Sequence, residues 1–484
     1  MSPSPARDVA AVMIADDIEA AGQLDVVSPF DGSCLATVAT GGERHVDAAL
    51  ETASRRFRDR SSWLPIPERI AILERTMASM RSQRDELALL AASEGGKPLK
   101  DSQVEVDRAI DGVSLCIETL RSHPGDVIPV GTTKATTNRV AFTQKEPIGV
   151  VVAVSAFNHP LNLIVHQVAP AVATGCPVIV KPAGDTPLSC LRFVELLWEA
   201  GLPRDACQAI VTDSNDSAQK LVTDSRVAFF SFIGSAKVGW MLRSKLAPGT
   251  RCALEHGGAA PAFLVDDYDR AQAVTSIAKG GFYHAGQVCV SVQRVFAPAA
   301  GAEAFANELA AAAQALSVGD PVLAETDVGP LIRPAEVDRV EAWVGEAVAA
   351  GAKLLCGGER IGERCYAPTV LLNPPPDAKV STEEIFGPVV CVYGYEDLAA
   401  AIAQANSLPV AFQAAVFSRD IDRCMQVFRA VDASAVMVND HTAFRDDAMP
   451  FAGLRESGLS TGGIPYTMED MQIDKMLVIK SSAL

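Results

Sequence analysis

The chain has 484 residues, 49% of them apolar and 21% charged, with a formal net charge of −17. That length and composition suit large cores in roughly two or three domains and exclude a disordered chain. The acidic balance argues against nucleic acid or an anionic membrane as a partner, because a phosphate surface is met by a basic face.

The predicted elements begin with helices across residues 40–95, where Val46–Ala53 and Ile70–Met77 repeat apolar positions at helical spacing. A further helix is expected over Val104–Leu120. Val127–Thr143 then changes to Thr and Val, which suits a β arm leaving the domain. From Gly149 strands and helices alternate: strand Val150–Ser155, helix Leu161–Thr174, strand Val178–Lys181, helix Leu188–Glu199, strand Ala209–Val211, helix Asp216–Thr223, strand Val227–Phe232. Such alternation implies parallel βαβ units. A second α/β set follows from about Gly257. Its strands are Ala262–Val265, Val292–Phe296, Val389–Val392, Ala414–Phe417 and Ala435–Asn439, with helices Ala302–Leu316 and Pro334–Ala350 between them. Lys475–Lys480 reads as one more strand.

Eleven cysteines are scattered from Cys34 to Cys424 without CxxC pairs, which fits reduced thiols and no disulfide framework. The N-terminal Met1–Asp8 shows no charged-then-apolar signal pattern. The most apolar stretch, Pro147–Phe157, is too short to cross a bilayer. A soluble cytoplasmic protein without a zinc knuckle is the expectation.

Three segments carry the chemistry. Cys289 stands in Gly286-Gln-Val-Cys289, Glu255 in Glu255-His-Gly-Gly258, and Asn158 in Phe157-Asn-His-Pro160 after the first βαβ strand. A thiol, a carboxylate and an amide donor are what covalent chemistry on a carbonyl requires: nucleophile, general base for the releasing water, and oxyanion donor. Together these segments resemble the aldehyde dehydrogenase superfamily over essentially the whole chain. The likeness is nearest to the branch handling lactaldehyde, phosphonoacetaldehyde and, without phosphorylation, glyceraldehyde 3-phosphate; Asn158–Leu163 and Phe444–Phe451 carry it.

The resemblance implies a nicotinamide cofactor, NAD or NADP. Lys181, in Val180-Lys-Pro-Ala-Gly-Asp-Thr-Pro187, would meet the adenine ribose or a 2′-phosphate. Gly234 and Ser235 open a helix whose N-terminus suits a pyrophosphate. Glu384 and Phe386, in Glu384-Ile-Phe-Gly-Pro388, would hold the nicotinamide ribose and ring. Relatives commonly carry Glu where Gly184 stands, so repulsion of a 2′-phosphate is removed and NADP should be accepted, with Asp185 next door leaving the preference open. His256 replaces a usual apolar residue and reads as structural.

For the substrate, the resemblance implies a short aldehyde carrying an anionic or hydroxyl group, met by Arg108, His159 and Arg445. Each has a plain alternative: Arg108 could pair with Glu105 one helical turn back, His159 could shape the turn before Pro160, and Arg445 adjoins Asp446 and Asp447. Val288, where phosphoryl-specialised relatives often have Arg, points away from a dianion. The product is a free acid, formed through a cysteine thiohemiacetal and thioester; a CoA-acylating enzyme and a non-catalytic binding relative are the alternatives. The expected fold is α/β: a Rossmann-like dinucleotide-binding domain (1–125 and 147–255), a second α/β catalytic domain (256–440), and a small β oligomerisation flap (126–146 and 470–484). Such a flap needs a partner to cover it, so a homodimer or homotetramer is expected.

Overall fold

The computed structural model describes residues 7–484; Met1–Ala6, part of the terminus read above for a signal pattern, lies outside them. Two α/β units dominate. The first holds a six-stranded sheet in the order Gly458–Leu459, Arg251–Glu255, Val227–Ile233, Val150–Val154, Val178–Lys181, Cys207–Ala209. All neighbours are parallel except the edge strand Gly458–Leu459. Val150–Val154 is buried along its whole length. Val151 and Ala153 enter one core with Val113, Val165 and Phe193, while Val150, Val152 and Val154 enter another with Leu50, Leu221 and Phe230. Such a β-branched run suits a strand covered by helices on both faces.

The second unit has a seven-stranded sheet in the order Lys353–Cys356, Thr369–Leu372, Val389–Tyr395, Val292–Pro298, Ala260–Leu264, Gln413–Phe417, Ala435–Val438. Only Lys353–Cys356 runs antiparallel. All five strands expected for this unit are present. The two at the Lys353 edge, and the N-terminal hairpin of Gly22–Val27 with Cys34–Thr40, were not anticipated. The expected strand Ala209–Val211 lies two residues earlier, at Cys207–Ala209. Helices Glu43–Arg58, Ile66–Ser82 and Leu99–Ser122 contain the helices expected before the arm.

A three-stranded antiparallel sheet joins Val127–Ile128, Arg139–Pro147 and Gln472–Lys480, the last two paired from Pro147↔Gln472 to Arg139↔Lys480. Met476, Leu477, Val478 and Ile479 lie exposed on it. The C-terminal region also returns to the first unit: helix Ile464–Asp470 buries Ile464 and Met468 in the core holding Val165. No described helix is long and apolar enough to cross a membrane. All eleven cysteines are free.

Candidate active site

The segment before Cys289 is a tight, unusual turn. His284 and Ala285 take left-handed backbone conformations (φ 49° and 53°), and Gly286 follows at φ 71°. A Cβ on Gly286 would stand 2.0 Å from the carbonyl oxygen of Gly387, so only glycine lets this turn pack on the Glu384–Pro388 loop. Strain of this kind persists where surrounding structure enforces it. Here Gln287 does so: its Oε1 accepts from Ile332 N at 3.0 Å and its Nε2 donates to the carbonyls of Pro330 and His284. Cys289 emerges partly exposed, packed near Val288, Val290, Phe412 and Phe451.

Asn158 reaches the same turn. Its Nδ2 donates to Gln287 O at 2.9 Å, two residues before the thiol. The segment holding it is fixed from below. Glu105 accepts from the backbone N–H groups of Leu161 and Asn162, both at 2.9 Å, and forms a fully buried ion pair with Lys97. Carboxylates are favoured at such helix starts.

Glu255 ends the strand Arg251–Glu255, its backbone paired with Gly458 of the C-terminal segment. A Cβ on Gly462 would lie 2.1 Å from Glu255 Oε1, so the carboxyl occupies the space that glycine leaves. Loss of solvation pushes Glu255 up to about 7, with Arg445 opposing. Burial also raises the Cys289 thiol, aided by the charges of Glu255 and Glu384 and opposed by Arg445.

These groups line one cavity of about 1030 Å³ that also contains Lys181, Gly184, Gly234, Ser235, Glu384 and Phe386. That is the upper end of the range for ligand sites, about 300–1,000 Å³. Lys181 ends its strand, is lowered by burial, and among the described residues its Nζ bonds only the carbonyl of Pro182, at 3.1 Å. Ser235 stands at the N-cap position of helix Ala236–Arg243, its hydroxyl making no capping bond to that helix. Glu384 Oε1 is buried without a hydrogen-bond partner among the described residues, and burial pushes this carboxyl up to about 8. Gly257 makes room for it, since a Cβ there would sit 1.5 Å from Oε1. Phe386 stands edge-on to Phe157. A buried carboxyl with an unpartnered oxygen, a lysine without an ion pair among the described residues, and a helix start in one long cleft fit a nicotinamide dinucleotide. His256 turns away onto the helix: its Nδ1 meets Gly234 O at 2.8 Å and its ring packs on Phe232 and Trp240.

At the other end lie Arg108, His159 and Arg445. Arg108 does not pair with Glu105, which is committed to Lys97. It binds Asp447 through two bonds, Nη2–Oδ1 at 2.6 Å and Nε–Oδ2 at 3.1 Å. Asp447 also accepts His166 Nε2 at 2.9 Å and lies 3.9 Å from Arg445 Nε. Arg445 stacks over Phe451 and donates to Met449 O at 2.8 Å. His159 is buried, its Nε2 3.5 Å from the Tyr283 hydroxyl, and burial keeps it neutral. The sequence gives no role to His166 or Tyr283 and offers Asp447 only as a neighbour of Arg445, not as the partner of Arg108 and His166. A histidine inside the apolar helix run Leu161–Thr174 was the available signal for His166.

The aldehyde dehydrogenase family model matches residues 17–477. A 3-sulfolactaldehyde dehydrogenase of Priestia aryabhattai is 35% identical over 459 residues, covering 95% of each chain. Among solved structures, aldehyde dehydrogenase 21 of Physcomitrella patens, in complex with its product succinate, superposes with a TM-score of 0.94 at 33% identity over 99% of both chains. The glyceraldehyde-3-phosphate dehydrogenase of Methanocaldococcus jannaschii, complexed with NADP, gives 0.90 at 32% identity over 95% of this chain and 99% of that one. The chain therefore belongs to the aldehyde dehydrogenase family and oxidises aldehydes with NAD or NADP.

Proposed function

We propose that the protein converts a short aldehyde bearing a single negative charge into the free carboxylic acid through a thioester on Cys289. The observation that supports this most is convergence: Cys289, Glu255, Asn158, Arg108 and Arg445 line one cavity.

Cys289, as thiolate, attacks the aldehyde carbon and forms the C–S bond of a thiohemiacetal. One Asn158 N–H is held by Gln287 O, which fixes the amide and leaves its second N–H for the developing oxyanion. When bound, the oxidised nicotinamide supplies the hydride acceptor that turns this adduct into a thioester. Glu255, poised near neutrality, then takes a proton from water as that water attacks the thioester carbon; the C–S bond breaks and the acid leaves. Lys181, Gly234 and Ser235 bind the adenosine and pyrophosphate end of the cofactor, and Glu384 and Phe386 the nicotinamide end.

The charge count favours a monoanion. Arg108 and Arg445 bring two positive charges, Asp447 neutralises one, and His166 is lowered by burial despite Asp447. Sulfonate or carboxylate aldehydes match one net charge; phosphate dianions match it poorly. We assign dinucleotide binding to 1–125 with 147–255, catalysis to 256–440, and homodimer or homotetramer formation in the cytoplasm to the sheet of 126–146 with 470–484, whose exposed Met476–Ile479 edge calls for cover.

The test is reduced-cofactor formation with sulfolactaldehyde, succinic semialdehyde, lactaldehyde, glycolaldehyde, glyceraldehyde 3-phosphate and phosphonoacetaldehyde, using wild type and Cys289→Ala. Cys289-dependent turnover highest on the monoanions is expected. Preference for neutral aldehydes would remove the anion pocket, and turnover that survives Cys289→Ala would remove the covalent route.

A further inference from the structure

An ion pair spans the cleft between the two α/β units at its adenosine end. Arg333, at the start of helix Pro334–Ala349 in the second unit, grips Asp185 of the first, with Nε 2.9 Å from Oδ1 and Nη2 on Oδ2. Arg333 is exposed and Asp185 only partly so. Both line the cavity beside Lys181 and Gly184. A Cβ on Gly184 would meet nothing closer than Leu24, at 3.9 Å, so the floor between them is open.

The pair changes the local charge count. Asp185, taken alone, would repel a phosphate and neutralise Lys181. With Arg333 holding it, Asp185 acts on Lys181 only through space, and the three groups together leave this corner of the cleft one net positive charge. Glu336, one turn further along, does not compete for Arg333, because it is engaged by Arg339 at 2.8 Å. A planar guanidinium on an exposed stem can turn from one oxyanion to another at little cost, or bridge both, and its forked donors match a phosphomonoester.

We infer that Arg333, supplied from the opposite unit, is a specificity-determining residue that binds the 2′-phosphate of NADP together with Lys181, with Asp185 as its resting partner. The inference rests on the placement of the adenosine end at Lys181 proposed above. Closure of the two units over the cofactor would then be tighter with NADP than with NAD, because only NADP gives Arg333 a ligand on the first unit that is not already part of the chain.

The experiment is calorimetric binding of two fragments that differ only in the 2′-phosphate, adenosine 2′,5′-bisphosphate and adenosine 5′-monophosphate. The proteins are wild type, Arg333→Ala, Asp185→Asn and Lys181→Ala. Wild type should bind the bisphosphate more tightly. Arg333→Ala should weaken the bisphosphate about tenfold, the size of one lost charge-assisted contact, while leaving the monophosphate within twofold. Asp185→Asn should strengthen the bisphosphate. Equal effects of Arg333→Ala on both fragments, or none on either, would overturn the inference. If Lys181→Ala leaves both fragments unaffected, the placement of the adenosine end fails and the inference fails with it; if Lys181→Ala weakens both but Arg333→Ala spares the bisphosphate, only the role of Arg333 is lost.

Discussion

Arg108 and Asp447, 339 residues apart in sequence, form a two-bond ion pair in the wall of the active-site cavity. Burial raises the Asp447 carboxyl, but His166 and Arg108 outweigh it and hold that carboxyl well below the usual range. A depressed carboxyl contributes stability that is full above its unfolded value, about 3.9, shrinks below it, and is gone once pH has fallen through the lower folded value. Asp447→Ala should therefore destabilise the protein by about 3 kcal/mol at pH 7, because it strands Arg108 without its carboxylate. The loss should shrink below the unfolded value of about 3.9, where the unfolded chain takes up a proton that the folded carboxyl still refuses. Denaturant melts at pH 7 and pH 3 check both points; equal losses at the two values would contradict the linkage.

Arg445 stacks on Phe451 and faces the same cavity as the thiol. Arg445→Ala should raise KM for a sulfonated or carboxylated aldehyde by about tenfold to a hundredfold, the range for losing a hydrogen bond to a charged group. Its effect on lactaldehyde should be small. Steady-state kinetics on the two substrates decide this, and a uniform loss would mean that Arg445 acts on the thiol and not on the substrate's charge.

With Glu255 pushed up to about 7, its base form grows as pH rises through neutrality. Release of the acid should rise with pH across that interval. Glu255→Gln should remove the rise and slow release by roughly a hundredfold to ten-thousandfold while leaving the first turnover's burst of reduced cofactor. Rapid-mixing traces at several pH values distinguish the two phases.

Gly462→Ala tests the seat of that base without touching its chemistry. A methyl group there would stand 2.1 Å from Glu255 Oε1 and must displace it. The variant should resemble Glu255→Gln in its slow release while retaining a titrating carboxyl. Equal rates for variant and wild type would show that Glu255 works from another position.

Asn158→Ala should lower the rate of the first, thiol-dependent step by about a hundredfold to a thousandfold, the usual cost of one oxyanion donor. Binding of cofactor, followed by fluorescence, should be unchanged.

Much of this architecture was legible in the sequence. Val150–Val154 announces itself as a buried strand because five β-branched or small residues run together without a polar break. Arg251–Glu255 does not, since only Leu254 of its five residues is buried, and its partner Gly458–Leu459 lies far along the chain. Cys289, Glu255 and Asn158 were found from local frames and the structure brings them to one cavity. The long-range pairings escaped: nothing near Arg108 suggests Asp447, while Glu105, the obvious local partner, is claimed by Lys97. Local periodicity reports which face of an element is apolar; it carries no information on which distant charge will be buried against it.

The strand Gly458–Leu459 and the helix Ile464–Asp470 have a consequence for biosynthesis. The edge of the first sheet, and the glycine against which Glu255 rests, are supplied by residues far along the chain from the strand they complete. Synthesis runs from the N-terminus, so the centres of both sheets emerge before the segment that seats the proposed base. Glu255 therefore acquires its seat only when this late pairing forms, after the rest of its sheet.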